Sequence, residues 1–183
     1  MRLFVAVPLP RDVRHRLAAR VAAVGGVDEA IRWVSREHLH LTLKFLGDVP
    51  ADAIEPIARG IEEACRGARP FPIAVTGFGA FPPGRPPRVL WAGLETAPPL
   101  ELLQDGVERR MADLGFSLEG EPFRPHVTVG RVRRGRSAGR TTARLLAAEH
   151  ADAFVVEQVS VMESLLETAT PRYAVRHVVR LGS

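Results

Sequence analysis

Apolar and polar positions along the chain alternate at two different periods. Arg2–Pro8 (RLFVAVP) is an almost unbroken apolar run closed by proline, the pattern of a buried strand. Val13, Leu17, Val21 and Val24 recur at helical spacing over Pro10–Val24, and Gly25-Gly26 supplies the stop. Trp33-Val34 opens a short strand. His38–Gly47 (HLHLTLKFLG) then alternates strictly. Leu39, Leu41, Leu43 and Phe45 are expected on one face, and His38, His40, Thr42 and Lys44 on the other. That alternation assigns Phe45 and Leu46 to the core. Asp48–Cys65 reads as a second helix carrying Ile54, Ile57, Ala58, Ile61, Ala64 and Cys65, with Pro56 tolerated close to its start. Phe71–Phe81 and Arg88–Leu94 read as strands around a proline-rich loop, Phe81–Pro87. Pro99–Leu114 forms a third helix, with Leu100, Leu103, Val107, Met111 and Leu114 on one side. Arg124–Val132 (RPHVTVGRV) alternates again, placing Val127 and Val129 opposite His126, Thr128 and Gly130. Ser137–His150 is a weaker helix, and Phe154–Glu167 and Arg172–Leu181 are the last two strands.

Roughly seven strands and four helices mix in a strand-helix-strand-strand rhythm that occurs twice, which predicts an α+β fold with two sheet-bearing halves. A length of 183 residues suits one bilobal domain over 1–183. Hydrophobic residues at 46% and charged residues at 25% fit a soluble globular protein. The single Cys65 excludes an internal disulfide framework and any multi-cysteine zinc site. No apolar run approaches the roughly 18 residues of a membrane span. Leu3–Leu9, broken by Pro8 and without a cleavage signature, is not read as a signal peptide. A cytoplasmic monomer with no membrane partner is expected. The net charge is +4, yet all 25 basic residues except Lys44 are arginine. Beside abundant Ala, Gly and Pro, that reads as a compositional bias more than as a nucleic-acid surface, although it is compatible with RNA.

Two of the alternating strands each bring a His and a Thr to one face: His40-Leu41-Thr42 and His126-Val127-Thr128. Six His among 183 residues would give well under one such triplet by chance. Two imidazoles on different strands can meet across a groove. One, neutral, can take a proton from water; the other, charged, can give one to a leaving oxygen. In-line displacement needs these groups on opposite sides of the reacting atom, whereas residues i and i+2 of one strand lie on the same side, roughly 6.6 Å apart. The Thr hydroxyls can donate hydrogen bonds to anionic oxygens, and Arg131 adds a fork-shaped cation suited to phosphate. The set suits attack at phosphorus with no metal or other cofactor.

At these residues the chain resembles the two-histidine phosphoesterase superfamily. HLTLKFLG (His40–Gly47) and PHVTVGR (Pro125–Arg131) look like its paired HxTx signatures. Within it the chain is most similar to the bacterial and archaeal RNA 2′,3′-cyclic phosphodiesterases, also called the 2′-5′ RNA ligase family. RLFVAVPLP, RWVSREHLHLTLKFLG, PPRVLWAG and ESLLETATPRYAV extend the likeness over nearly the whole length. The resemblance implies a bilobal α+β fold, with two antiparallel sheets facing across a central cleft and helices on the outer faces. It implies metal-independent hydrolysis of RNA 2′,3′-cyclic phosphate ends to 2′-phosphomonoesters. His40 would be the proton donor to the leaving 3′ oxygen and His126 the proton acceptor from water, although sequence alone allows the exchange. Thr42, Thr128 and Arg131 would bind the substrate phosphate. RNA with a cyclic end, or a cyclic nucleotide, is the implied partner, and reversible ATP-independent 2′-5′ RNA ligation a second reaction. The chain departs from the family at Gly130, where Ala is commoner and a roomier cleft floor is expected, and at TPRY (Thr170–Tyr173), which a Gly often precedes.

Two other readings compete. A metallohydrolase could use His38, His40 and His126, but it would leave the threonines without a purpose and has only Glu119 and Glu121 as nearby carboxylates. A non-catalytic RNA-binding module could use both triplets to cradle a terminal phosphate. The run Arg131, Arg133, Arg134, Arg136, Arg140 and Arg144 is either a solvated surface or a track for an RNA backbone. Phe81, Trp91, Phe123 and Tyr173 are the candidates for stacking on a base.

Overall fold

Leu41 and Val127, the middle residues of the two triplets, are antiparallel register partners. They are the one pair, among the described residues, at which two halves of a single sheet join. A computed structural model describes residues 1–83, 86–165 and 172–182 of the chain. Its elements run β1 (Arg2–Pro8), α1 (Arg11–Gly25), β2 (Ile31–Trp33), β3 (His40–Asp48), α2 (Ile54–Cys65), β4 (Phe71–Phe81), β5 (Val89–Leu94), α3 (Pro98–Asp113), β6 (His126–Val132), α4 (Gly139–Leu146), β7 (Ala151–Val156), β8 (Gln158–Leu165) and β9 (Arg172–Arg180). The strand order is β7-β4-β5-β6-β3-β1-β8-β9, with β2 added to β6. Every pairing is antiparallel. The two sheets expected from sequence are therefore β7-β4-β5-β6 and β3-β1-β8-β9, continuous through Leu41 and Val127. Helices α1 and α4 pack together behind the first half; α2 and α3 pack together behind the second.

The helical periodicities translate into buried faces. Val13, Leu17 and Val21 of α1, Ile57, Ala58 and Ile61 of α2, and Leu100, Leu103, Val107 and Met111 of α3 are all buried. Leu114, expected on the α3 face, lies past the helix end and is exposed. Helix α2 begins at Ile54, after a single 3-10 turn over Ala51–Ala53, which puts Pro56 in its first turn. There its missing N–H costs no intrahelical bond. Helix α4 is shorter than expected and covers Gly139–Leu146. Among the described residues no helix is long and apolar enough to cross a membrane.

One expected strand is two. The Phe154–Glu167 run contains the end of β7 and the start of β8, separated at Glu157. These strands belong to different halves of the strand order, so the chain crosses from one half to the other there. No Gly or Pro marks the crossing, and an apolar alternation continues through it. The last residues of that run, and part of ESLLETATPRYAV including Thr170 and Pro171, lie outside the described residues, as do Gly84 and Arg85 of the proline loop.

Gly130 does not widen the cleft floor. A Cβ built there would stand 2.9 Å from Ile31 Cγ2 and 2.9 Å from Trp33 Cε3. Its open side faces the interior and is filled by the side chains of β2. Trp33 also closes on Gly25 of α1, where a Cβ would meet its ring at 2.4 Å. The indole thus sits between two glycines and ties α1 to β6.

Candidate active site

The two triplets project into one cleft between the half-sheets, about 650 Å³ in volume. His40, Thr42, His126, Thr128 and Arg131 all line it. Antiparallel register about Leu41 and Val127 sets the triplets head to tail, so each His neighbours the Thr of the other strand.

Matching β-bulges follow the two triplets. In β3, Val5 pairs with Lys44 and Ala6 with Thr42, which leaves Leu43 as an extra residue. In β6, Leu90 pairs with Gly130 and Trp91 with Thr128, which leaves Val129 extra. A bulge reverses the alternation beyond it. Lys44 and Gly130, expected on the polar face, therefore turn inward, and Phe45 and Arg131 turn into the cleft. Phe45 is 62% exposed, a correction to its core assignment, while Leu46 is buried as expected. Without the second bulge, Arg131 would point away from the histidines.

Each imidazole is held in the same way. His40 Nδ1 donates to the His38 carbonyl at 2.7 Å, and His126 Nδ1 donates to the Arg124 carbonyl at 2.7 Å. A carbonyl only accepts, so Nδ1 carries hydrogen in both rings and Nε2 is left for proton transfer. Extended backbone just before each strand brings the carbonyl of residue i−2 under the ring. Leu39 has φ −71° and ψ 120°, and Pro125 forces Arg124 away from helical geometry.

Aromatic rings flank both histidines. Phe4 lies 4.9 Å from the His40 ring, and Tyr173 meets that ring edge-on at 5.4 Å. Phe81 meets His126 edge-on at 5.2 Å. This burial pushes His40 down to about 4; the neighbouring charges of His38, Arg131 and His126 add to the depression, against the bond to the His38 carbonyl. Burial likewise holds His126 below its ordinary value, with Arg131 contributing and the Arg124 carbonyl opposing. Both rings are therefore neutral at neutral pH.

The structure also sorts the remaining candidates. His38 lies in a 3-10 turn, bonds Ser35 Oγ at 2.9 Å through Nδ1 and packs on Tyr173. Its carbonyl, rather than its ring, reaches His40. Of the aromatic candidates, Phe81 and Tyr173 line the cleft. Phe123 lines an adjoining apolar cavity of about 600 Å³, which shares Thr42, Phe45, Phe81 and His126 with the cleft. Trp91 is packed over Gly79, where a Cβ would meet its ring at 2.0 Å. Of the arginine run, Arg131 alone is among the described residues lining the cleft; the others are exposed outside it. Among the described residues no group of three or more His, Cys, Asp or Glu is arranged to hold a metal ion. Sequence reasoning misses Phe4, Phe45, Arg2 and Arg32. The unbroken apolar run of β1 is the one available signal, since a strand buried on both faces leaves some side chain facing the site.

The sequence profile of the LigT like Phosphoesterase family matches residues 7–91 and 94–173. An RNA 2′,3′-cyclic phosphodiesterase of Methanothermobacter thermautotrophicus is 32% identical over 183 residues, covering 99% of each chain. One from Thermus thermophilus is 35% identical over 182 residues, covering 96% of this chain and 87% of that protein. The crystal structure of TT0787 of Thermus thermophilus superposes with a TM-score of 0.83 at 27% identity, covering 99% of this chain and 98% of the other. That of E. coli LigT complexed with 3′-AMP gives a TM-score of 0.78 at 25% identity, covering 100% and 98%.

Proposed function

The chain belongs to the LigT-like phosphoesterase family, a family of phosphodiesterases, and on that premise we propose that it hydrolyses RNA 2′,3′-cyclic phosphate ends to 2′-phosphomonoesters. The observation that carries the reading is the matched pair of imidazoles in one cleft, each fixed through Nδ1 with Nε2 left for the substrate.

That geometry supports the following reaction, with the acid and base roles that the family resemblance implies. His126 Nε2 accepts a proton from water as the water oxygen bonds to phosphorus. The opposite bond, from phosphorus to the 3′ oxygen, breaks, and His40 Nε2–H protonates that oxygen. The products are a 2′-phosphomonoester and a 3′-hydroxyl. Thr42 and Thr128 hydroxyls and the Arg131 guanidinium donate to the non-bridging oxygens, where negative charge builds up. No step calls for a metal. A 5′-hydroxyl in place of water gives a 2′-5′ linkage by the same bond changes, and its microscopic reverse regenerates the cyclic end. The partner is RNA with a cyclic end or a small cyclic nucleotide, and the LigT structure with 3′-AMP supports a nucleotide-sized occupant. A metal held jointly by His38, His40 and His126 is disfavoured, because among the described residues no group of three or more His, Cys, Asp or Glu is arranged to hold one.

The test is incubation with a 2′,3′-cyclic-ended oligonucleotide in chelator. The expected product carries the phosphate on the 2′-hydroxyl. Activity that vanishes with chelator and returns with metal, or a 3′-phosphate product, overturns the proposal.

The depressed imidazoles set the pH dependence. Acid–base use requires one proton shared by the pair. With His40 pushed down to about 4 and His126 below 6.5, the one-proton form lies on the acid side of neutrality; its proton rests mainly on His126, so the reactive form, with His40 charged and His126 neutral, is the minor one. The profile of kcat/KM reports the free enzyme and is expected to be bell-shaped with its alkaline limb below pH 6.5. A bound phosphate anion favours the imidazolium, so the alkaline limb of kcat is expected at higher pH than that of kcat/KM. An alkaline limb of kcat/KM above about pH 7, or a monotonic rise, counts against the assignment.

A further inference from the structure

Arg32 and Arg131 are direct register partners across the short antiparallel pair of β2 and β6. Both side chains line the cleft. The described residues lining it include no Asp or Glu, and Arg2 adds a further cation from β1. Strand β2 is three residues long. Its Ile31 and Trp33 are turned inward against Gly130, and only Arg32 is turned outward and exposed. Like charges directly opposite on one sheet face repel. An anion between the two guanidiniums lessens that repulsion, and each offers it a planar fork of donors suited to phosphate.

One anion is already accounted for. The reacting phosphate belongs with the two imidazoles, which Arg131 approaches closely enough to lower both. Arg32 and Arg131 both act on the Tyr173 hydroxyl, on the His40 side of the cleft, whereas Phe81 flanks His126. Resting on the hydrolytic reading above, we propose that Arg32, with the Arg131 fork shared between it and the reacting phosphate, holds a second phosphate, carried on the 5′ side of the nucleoside whose cyclic phosphate lies between the histidines. The cleft then discriminates in favour of substrates with two phosphates. A phosphodiester of an RNA chain and a 5′-phosphate of a mononucleotide share that chemistry.

Three substrates decide the matter: a nucleoside 2′,3′-cyclic phosphate with a 5′-hydroxyl, the same compound with a 5′-phosphate, and a dinucleotide ending in the cyclic phosphate. One or both of the two-phosphate substrates is expected to exceed the first in kcat/KM by about tenfold or more, and the ratio to fall towards one in Arg32→Gln. A gain for the dinucleotide alone identifies the diester, and a gain for the 5′-phosphate identifies the terminal group. The log–log salt slope for the preferred substrate is expected to fall by about 0.7–1 in the variant. Equal kcat/KM for all three substrates, or a preference that survives Arg32→Gln, overturns the proposal. If none is turned over, the hydrolytic reading fails by itself. Calorimetric binding of the matching nucleoside 2′-phosphates, with and without the 5′ phosphate, then decides the Arg32 assignment: a preference lost in the variant supports it, and no preference overturns it.

Discussion

His40→Ala and His126→Ala each lower kcat on a 2′,3′-cyclic-ended oligonucleotide by about 10²–10⁴, the usual contribution of a positioned acid or base. KM changes little, because Thr42, Thr128 and Arg131 still face the phosphate. The double variant loses far less than the product of the two losses, since one ring without the other no longer completes the proton relay. The two roles separate with a leaving group that needs no proton. On a p-nitrophenyl phosphodiester His40→Ala recovers most of its deficit, because aryl oxide departs unaided, while His126→Ala stays slow for want of a base. Recovery in His126→Ala instead exchanges the roles. A loss confined to KM, or retention of kcat within about threefold in either single variant, removes the paired mechanism. Both rings contact aromatic neighbours, so thermal melting of each variant should accompany the kinetics.

How far the sequence reveals this site depends on distance from the histidines. His40, Thr42, His126 and Thr128 are legible because period-2 alternation holds within each triplet, and its apolar partner residues, Leu41 and Val127, are fully buried. Two residues further on the same rule fails. The bulges at Leu43 and Val129 are backbone events set by pairing with β1 and β5, and neither strand carries a glycine at the bulged position to announce it. Unbroken alternation therefore assigns Phe45 to the core and Lys44 to the cleft, the reverse of what is observed. Gly130 stands out in the sequence, but its reason lies in Ile31 and Trp33, distant along the chain and close in space. The fold is legible through element order. The joining of its halves at one residue pair is not, because alternation specifies which face a residue takes and says nothing about which strand lies beside it. The crossing at Glu157 is hidden for a related reason: two strands in opposite halves both need inward-facing apolar residues, and their patterns run together.

Lys44, the only lysine of the chain, supports the second large prediction. Its Nζ donates to Glu108 Oε2 at 2.8 Å and to the Ser117 carbonyl at 2.8 Å. The Lys44 side chain is 1% exposed and that of Glu108 10%. Glu108 Oε2 also accepts from the Glu119 backbone N–H at 3.3 Å. One ammonium thus fastens α3 and the segment after it to the strand that carries His40 and Thr42. Lys44→Met is expected to cost about 3–5 kcal/mol, because it leaves the Glu108 carboxylate buried without its cation and the Ser117 carbonyl without a donor. Against a total of about 5–15 kcal/mol for an ordinary domain, that is a large share of the stability. Lys44→Met combined with Glu108→Leu removes both charges together and is expected to regain most of the loss, since a buried pair exchanged for apolar residues of similar volume is often neutral or stabilising. Urea midpoints of the wild type, both single variants and the double variant give the coupling directly. A Lys44→Met midpoint equal to that of the wild type would show that the pair is solvated and fastens nothing. A double variant no more stable than Lys44→Met would place the cost in packing around the lysine stem instead of in the orphaned carboxylate.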